Sequence, residues 1–277
     1  MELNNEDDGR ATPRTVLGRR LRRLREAADL SQRALADKVG YPHTYLSRVE
    51  RGEQLPSQAL AQVLDDQFDA QGLFVELLTM AQDTLIANYS REFVSKEGDS
   101  IRIQVFTSSV VPGLLQTEEY TRELFRFGLP NEPSNEREAR VATRMSRQRI
   151  FDQAAPPYYW AIMDEAALKR PMGSKGAMRE QLERLLQAAE SPRITLQILP
   201  FEQGLYAMMG GSLTLLTLKD GATVALVESF DSGDSVDSPQ RVVELVQRFD
   251  TVRSHALPEH ESLDLIRSYL KGQADES

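Results

Sequence analysis

From residue 15 to about 80, apolar side chains recur three and four positions apart in five short runs, the spacing of one buried helix face. Leu17, Leu21 and Leu24 form the first stripe, and its outward side carries Arg19, Arg20, Arg22, Arg23 and Arg25. Ser31 is a good N-cap for a second helix with Leu35, Ala36 and Val39 inward, and Gly40 supplies the left-handed residue that ends it. A third helix is expected to begin at Pro42, since proline is preset for a first helical turn. Pro56 opens a fourth with Leu60, Val63 and Leu64 inward, and Phe68, Leu73, Phe74, Leu77 and Leu78 supply a fifth. Five short helices with brief connections predict an all-α domain over residues 15–82, after an acidic N-terminus at 1–14.

Past residue 82 the pattern changes. Residues 83–100 read as a junction, because the helical period fades and Ser95–Ser100 is rich in turn formers. An α+β domain is expected from 101 to 271, with a tail at 272–277. Its strand candidates are 101–106, 158–163, 193–199, 212–218 and 223–229, runs rich in β-branched and aromatic residues. Asp220-Gly221 between the last two predicts a two-residue hairpin turn with both central residues at positive φ. Thr117, Asn135, Ser174 and Ser238-Pro239 mark helix starts, the last opening a helix through Val242, Leu245, Val246, Phe249 and Val252.

The third run of the first domain carries chemistry. At about 100° per residue, Leu46 and Val49 share one face while Thr44, Ser47 and Arg48 share the opposite one, with His43 at the N-terminal edge. A long bidentate donor, two hydroxyls and an imidazole are the side chains that read base edges in a major groove. A polar face by itself is ordinary for an amphipathic helix; the ordered pattern from Leu30 to Gly52 carries the argument. Ser31-Gln32, Leu35-Ala36, Val39-Gly40, Leu46-Ser47-Arg48 and Glu50-Arg51-Gly52 make residues 15–80 resemble the Xre-type, λ-repressor-like DNA-binding domains. The resemblance implies base-reading positions at His43, Thr44, Ser47 and Arg48. It implies phosphate contact by Gln32, to which Ser31, Tyr45 and Arg51 are added as candidates, and an ion pair between Arg25 and Glu50. The chain departs from that family at Pro42, where a polar N-capping residue is usual.

Charge sharpens this picture. The chain carries a net charge of −9, which alone argues against a nucleic-acid partner, yet residues 10–58 sum to +6 and residues 59–277 to −11. A basic module joined to an acidic one is the footprint expected when a single domain meets phosphate. The chain has no cysteine, which excludes disulfides and thiolate chemistry. No apolar run is long enough for a membrane helix, and the acidic start is unlike a secretory signal, so a cytoplasmic, nucleoid-associated protein is expected.

The second domain resembles a known family too. PGLLQTEEY (112–120), RQRIF (147–151), DEAAL (164–168), REQLERL (179–185), RITLQILPFEQG (193–204), MMGGSLTLL (208–216) and FDTVRSHAL (249–257) occur in the order found in one group. They are similar to the antitoxin-like C-terminal domain of Xre-type regulators from filamentous actinobacteria. That resemblance implies a regulator acting with a small neighbour-encoded protein.

Catalytic and metal constellations fail. His43, His255 and His260 are too scattered for a metal site, and the carboxylates of Asp231–Asp237 lack EF-hand spacing and read as a solvated loop. Ser174-Lys175 reads as a helix cap, not a nucleophilic dyad. Two features remain as ligand candidates: Trp160, and the adaptable pair Met208 and Met209 ahead of Gly210-Gly211. The sequence therefore predicts a non-enzymatic, cofactor-free regulator that binds double-stranded operator DNA. Its C-terminal domain is expected to form a homodimer, through the helix from Pro239 to Val252, and to bind a regulatory partner or ligand. The alternative is an antitoxin-like protein that sequesters a small partner and regulates its own gene.

Overall fold

Residues 12–230 and 232–275 are described by a computed structural model that divides into two compact units, the first running to Ile86 and including Pro133–Ala139, the second comprising Ala87–Glu132 and the chain from Arg140 onward. The first is all-α: α1 (Pro13–Ala27), α2 (Gln32–Val39), α3 (His43–Glu50), α4 (Gln58–Phe68) and α5 (Leu73–Asp83). Leu17, Leu21, Leu35, Leu46, Leu60, Leu64, Phe74 and Leu78 are fully enclosed in one core.

The two prolines sit ahead of their helices instead of in the first turn, Pro42 by one residue and Pro56 by two. Pro42 is the extended N-cap of α3 (φ −59°, ψ 135°), and Pro56 precedes Ser57, whose hydroxyl caps α4 by accepting the Leu60 N–H. Helix α5 starts after Gly72 with no side-chain cap of its own. Buried Asp65 of α4 replaces it, accepting the Phe74 and Val75 N–H groups at 2.9 and 3.0 Å.

Close approach of α1 to α3 depends on Gly18. A Cβ there would lie 2.5 Å from the Glu50 carbonyl oxygen and 2.6 Å from that of Val49.

The second unit is α+β. Its strands are β1 (Ser100–Thr107), β2 (Tyr158–Asp164), β3 (Ile194–Leu199), β4 (Ser212–Leu218), β5 (Thr223–Glu228) and β6 (Gly233–Val236). They form one sheet in the order β3-β2-β1-β4-β5-β6; β1, β2 and β3 are parallel and the remaining neighbours antiparallel. The helices are α6 (Asn88–Ser95), α7 (Glu118–Gly128), α8 (Ser134–Arg147, of which only the part from Arg140 belongs to this unit), α9 (Ala166–Lys169), α10 (Lys175–Ala188), α11 (Pro239–His255) and α12 (Glu259–Asp275). Strand alternation divides the core: Ile103, Val105, Tyr159, Ala161 and Leu196 pack with Met178, Leu182 and Leu185 of α10, while Phe106, Ile162, Leu213 and Leu215 pack under α11. Both faces of the sheet are thus covered. No helix among the described residues is long and apolar enough to cross a membrane.

Several elements differ from the sequence reading. Helix α6 occupies the stretch where the helical period fades, and α12 follows Pro258 without having been foreseen. Helix α8 begins at Ser134, one residue ahead of the expected Asn135 cap. The β4–β5 hairpin has a three-residue loop, Lys219–Gly221, closed by the Leu218 N–H on the Ala222 carbonyl at 2.8 Å; only Gly221 takes a positive φ (+88°). Asp220 instead uses its carboxylate to accept the Ala222 N–H. The acidic run placed in a solvated loop forms the edge strand β6 from Gly233, its Asp231 lying outside the described residues.

Helix α11 spends Val242, Leu245, Phe249 and Val252 on the sheet, leaving Val243 as its one large exposed apolar side chain. The apolar surplus that made it a dimer surface is a core stripe.

Gly18→Ala should destabilise the first domain by about 1–3 kcal/mol, since the clash is with backbone that no rotamer change relieves. Urea unfolding of the full chain, followed by its helical circular dichroism, checks this; an unchanged first transition means the two helices separate freely.

Candidate nucleic-acid interface

Helices α2 and α3 are joined by a tight turn through Gly40, whose φ of +74° is left-handed, with its N–H on the Ala36 carbonyl at 2.9 Å. Helix α3 then buries Leu46, Val49 and Glu50 and exposes His43, Thr44 and Arg48. None of these three exposed side chains has an intramolecular hydrogen bond or ion pair among the described residues. Because Pro42 offers no capping side chain, the first-turn amides of α3 also face outward without a side-chain partner.

The other candidates are engaged inside the domain. Ser31 caps α2 by accepting the Ala34 N–H at 3.1 Å. Tyr45 is half-buried, and its hydroxyl accepts the Ser57 N–H at 2.7 Å; burial raises the phenol above its ordinary value and that hydrogen bond partly offsets the rise. Half-buried Ser47 is hydrogen-bonded by the Arg51 guanidinium, which also forms a bidentate pair with Glu53 at 2.6 and 2.8 Å. This exposed pair is weak in water and leaves Arg51 able to exchange Glu53 for another anion.

Behind the exposed face stands a buried ion pair. Arg25 Nε donates to Glu50 Oε1 at 2.6 Å and Nη2 to Oε2 at 3.2 Å, with the side chains 11% and 3% exposed. Arg25, assigned by periodicity to the solvent side of α1, is therefore turned inward by its partner. Its Nη1 also donates to the Leu30 carbonyl at 2.8 Å, and Gln32 Nε2 donates to Glu50 Oε2 at 2.8 Å. One carboxylate thus ties together α1, the α1–α2 turn, the start of α2 and the end of α3. The hydrogen bond to Glu50 raises the Arg25 guanidinium above its ordinary value.

In the second unit, Met208 and Met209 line a cavity of about 430 Å³, and Met209 also borders one of about 370 Å³ with Ser108, Asp164 and Tyr206. Trp160 lines neither. Its ring packs toward α11 under the Arg253 guanidinium, and Nε1 donates to Gln197 Oε1 at 2.8 Å. Sequence reasoning missed the Asp164–Tyr206 pair, in which the phenol donates at 2.6 Å and is pushed upward by burial and by that carboxylate. No group of three or more His, Cys, Asp and Glu among the described residues is placed to hold a metal.

Glu50→Ala strands a buried guanidinium and should cost about 3–5 kcal/mol. Replacing both partners with apolar residues, as in Arg25→Met with Glu50→Leu, should recover most of that loss. Thermal melting of the three proteins tests the point, and a Glu50→Ala protein that melts like the wild type rules the pair out as a structural tie.

Comparison with known proteins bears on both units. A helix-turn-helix domain model matches residues 16–77, and a model described as a domain of unknown function, DUF5753, matches residues 90–268. No curated protein and no solved structure matches the chain. The first unit is a helix-turn-helix domain of the DNA-binding kind, and the chain, more than half of it covered by the second match, belongs to the DUF5753 family.

Proposed function

We propose that the protein is a sequence-specific transcription regulator of the Xre type. In this reading α3 enters the major groove and His43, Thr44, Ser47 and Arg48 read base edges. The observation that carries it is the division of labour on α3: Leu46, Val49 and Glu50 are locked inside while His43, Thr44 and Arg48 stand outward with no internal partner. Gln32, Ser31, Tyr45 and Arg51 lie around the same helix and would fix the domain on phosphate. Gln32 and Tyr45 do so at the cost of, or alongside, the internal bonds they make. The uncapped amides at the start of α3 suit a phosphate oxygen as well.

The C-terminal domain, in the same proposal, forms the homodimer that lets two helix-turn-helix units bind half-sites about one helical turn apart. It also receives the regulatory partner or ligand. The helix from Pro239 to Val252, the surface expected from the sequence, offers that contact one large exposed apolar side chain, Val243. The antitoxin-like alternative shares the DNA-binding domain and differs in its output, the capture of a small protein; no feature of the fold favours it over ligand control. A cytoplasmic, nucleoid-associated location follows from operator binding.

Arg48→Ala should weaken binding to the selected operator by roughly 10- to 100-fold and binding to random DNA far less, as loss of a bidentate guanine contact does. Gln32→Ala should weaken both to a similar extent. Fluorescence anisotropy at fixed salt measures all four affinities. Equal losses on operator and random DNA for Arg48→Ala would reduce that residue to a phosphate contact.

A further inference from the structure

The register of the sheet gathers six chain ends at one edge. Thr107 pairs with Met163 and Ser212, Asp164 with Leu199, Ser212 with Glu228, and Glu228 with Gly233. The carboxyl ends of the three parallel strands therefore share this end of the sheet with the β3–β4 loop and the β5–β6 turn. Open sheets with parallel strands take their ligands at that end, where the strand order reverses. Here the reversal falls between β1, whose chain leaves toward β2, and β4, which enters on the other side of β1.

The 370 Å³ cavity, with Ser108, Asp164 and Tyr206, borders that reversal, and the 430 Å³ cavity lies beside it at the same end of the sheet, among the ends of the antiparallel strands β4, β5 and β6 and α11. Its volume falls within the roughly 300–1,000 Å³ of small-molecule sites. Met208, Leu213, Val227 and Leu245 give it apolar walls, and the methionines can adjust to a ligand's shape. Gly211 brings bare backbone into the wall, where a Cβ would come within 3.0 Å of the Glu228 carbonyl oxygen.

Three charged residues line the cavity: Arg248 on α11, Asp234 on β6 and Glu228 at the end of β5, whose carboxylate accepts the Tyr89 hydroxyl at 3.4 Å and the Ser212 hydroxyl at 3.5 Å. Arg248 and Asp234 are both exposed and have no ion-pair partner among the described residues, which leaves Arg248 as the one cation of the lining. Arg248 follows Leu245 by one helical turn, so its guanidinium shares a helix face with the apolar wall. A guanidinium is weakly hydrated and tolerates such a surface, whereas the exposed edge-strand carboxylate of Asp234 keeps its water.

We infer that this cavity is an effector site for a small amphipathic acid, with its apolar body against Met208, Leu213, Val227 and Leu245 and its anionic head on Arg248. The inference rests on the reading of the C-terminal domain as the effector-binding part, and it deepens that reading by naming the ligand's chemistry.

The test uses the full chain and the fluorescent apolar probe N-phenyl-1-naphthylamine, displaced by decanoate, decanol or decylamine, each below its micellar concentration. The probe should bind saturably, and decanoate should displace it at roughly tenfold lower concentration than the other two, the worth of one charge-assisted contact. Arg248→Gln should erase that preference, with decanoate then displacing the bound probe no better than decanol, and Asp234→Asn should preserve it. Met208→Trp, which fills the cavity, should weaken the probe and decanoate together. Absence of saturable binding, equal displacement by all three heads, preference for the amine, a decanoate preference that survives Arg248→Gln, or a probe indifferent to Met208→Trp each overturns the inference. Operator affinity of the same preparation reports separately on the DNA-binding reading, so either can fail alone.

Discussion

The Glu50 carboxylate is the point on which the first domain depends. It accepts two hydrogen bonds from Arg25 and one from Gln32 while 7% exposed, so three helices converge on one buried anion. Burying that charge is costly unless its lone pairs are filled, and here the guanidinium fork and an amide fill them. The consequence is positional. Glu50 is the last residue of α3, so fixing its side chain sets the rotation of α3 about its axis. Gly18 completes the constraint by letting α1 lie against the last carbonyls of that helix. The outward direction of His43, Thr44 and Arg48 follows from an inward interaction they do not share.

The same logic explains why residues near the interface differ in availability. Tyr45, Ser31 and Gln32 face the surface but hold the turn, a cap and the central carboxylate, so each has a structural duty. Arg48 has none. A side chain free of internal bonds can meet a base edge without first breaking a contact, and Arg48 is the residue on α3 best equipped to do so. Within the first domain the positive charge is concentrated in residues 10–58, which sum to +6 and include α3, while Asp65, Asp66, Asp69, Glu76 and Asp83 lie in or at the end of the two helices that follow.

The first domain was largely legible in the sequence because its helices are short, amphipathic and punctuated: Ser31, Gly40 and the apolar stripes each have a local cause. Its errors were local too, since Pro42 and Pro56 satisfy either a first-turn or a pre-helix position and φ alone does not separate the two. Asp65 escaped notice because it caps a helix from a neighbouring one; for Arg25 the family resemblance implied the pair with Glu50, while the helical wheel alone put the side chain on the solvent side. In the second domain, five strands were recognisable from β-branched runs. Strand β6 was not, because Gly233-Asp234-Ser235 carries no β-forming composition and is held by pairing with β5. Helix α11 shows the limit of pattern reading most clearly: a buried helix and an interface helix have the same apolar surplus until the sheet beneath is known. The candidate cavity was half visible, in Met208 and Met209; its charged walls come together only through sheet register and the packing of α11.

The central claim is that α3 reads sequence through a face held outward by the Arg25–Glu50 tie. The most direct measurement is selection of binding sites from a randomised DNA pool by the wild-type chain and by Arg48→Ala, with the recovered motifs compared position by position. The account predicts a symmetric motif for the wild type, and for the variant the same motif with the guanine preference lost at one position of each half-site. An identical motif from both proteins, or no motif from the wild type, would contradict it.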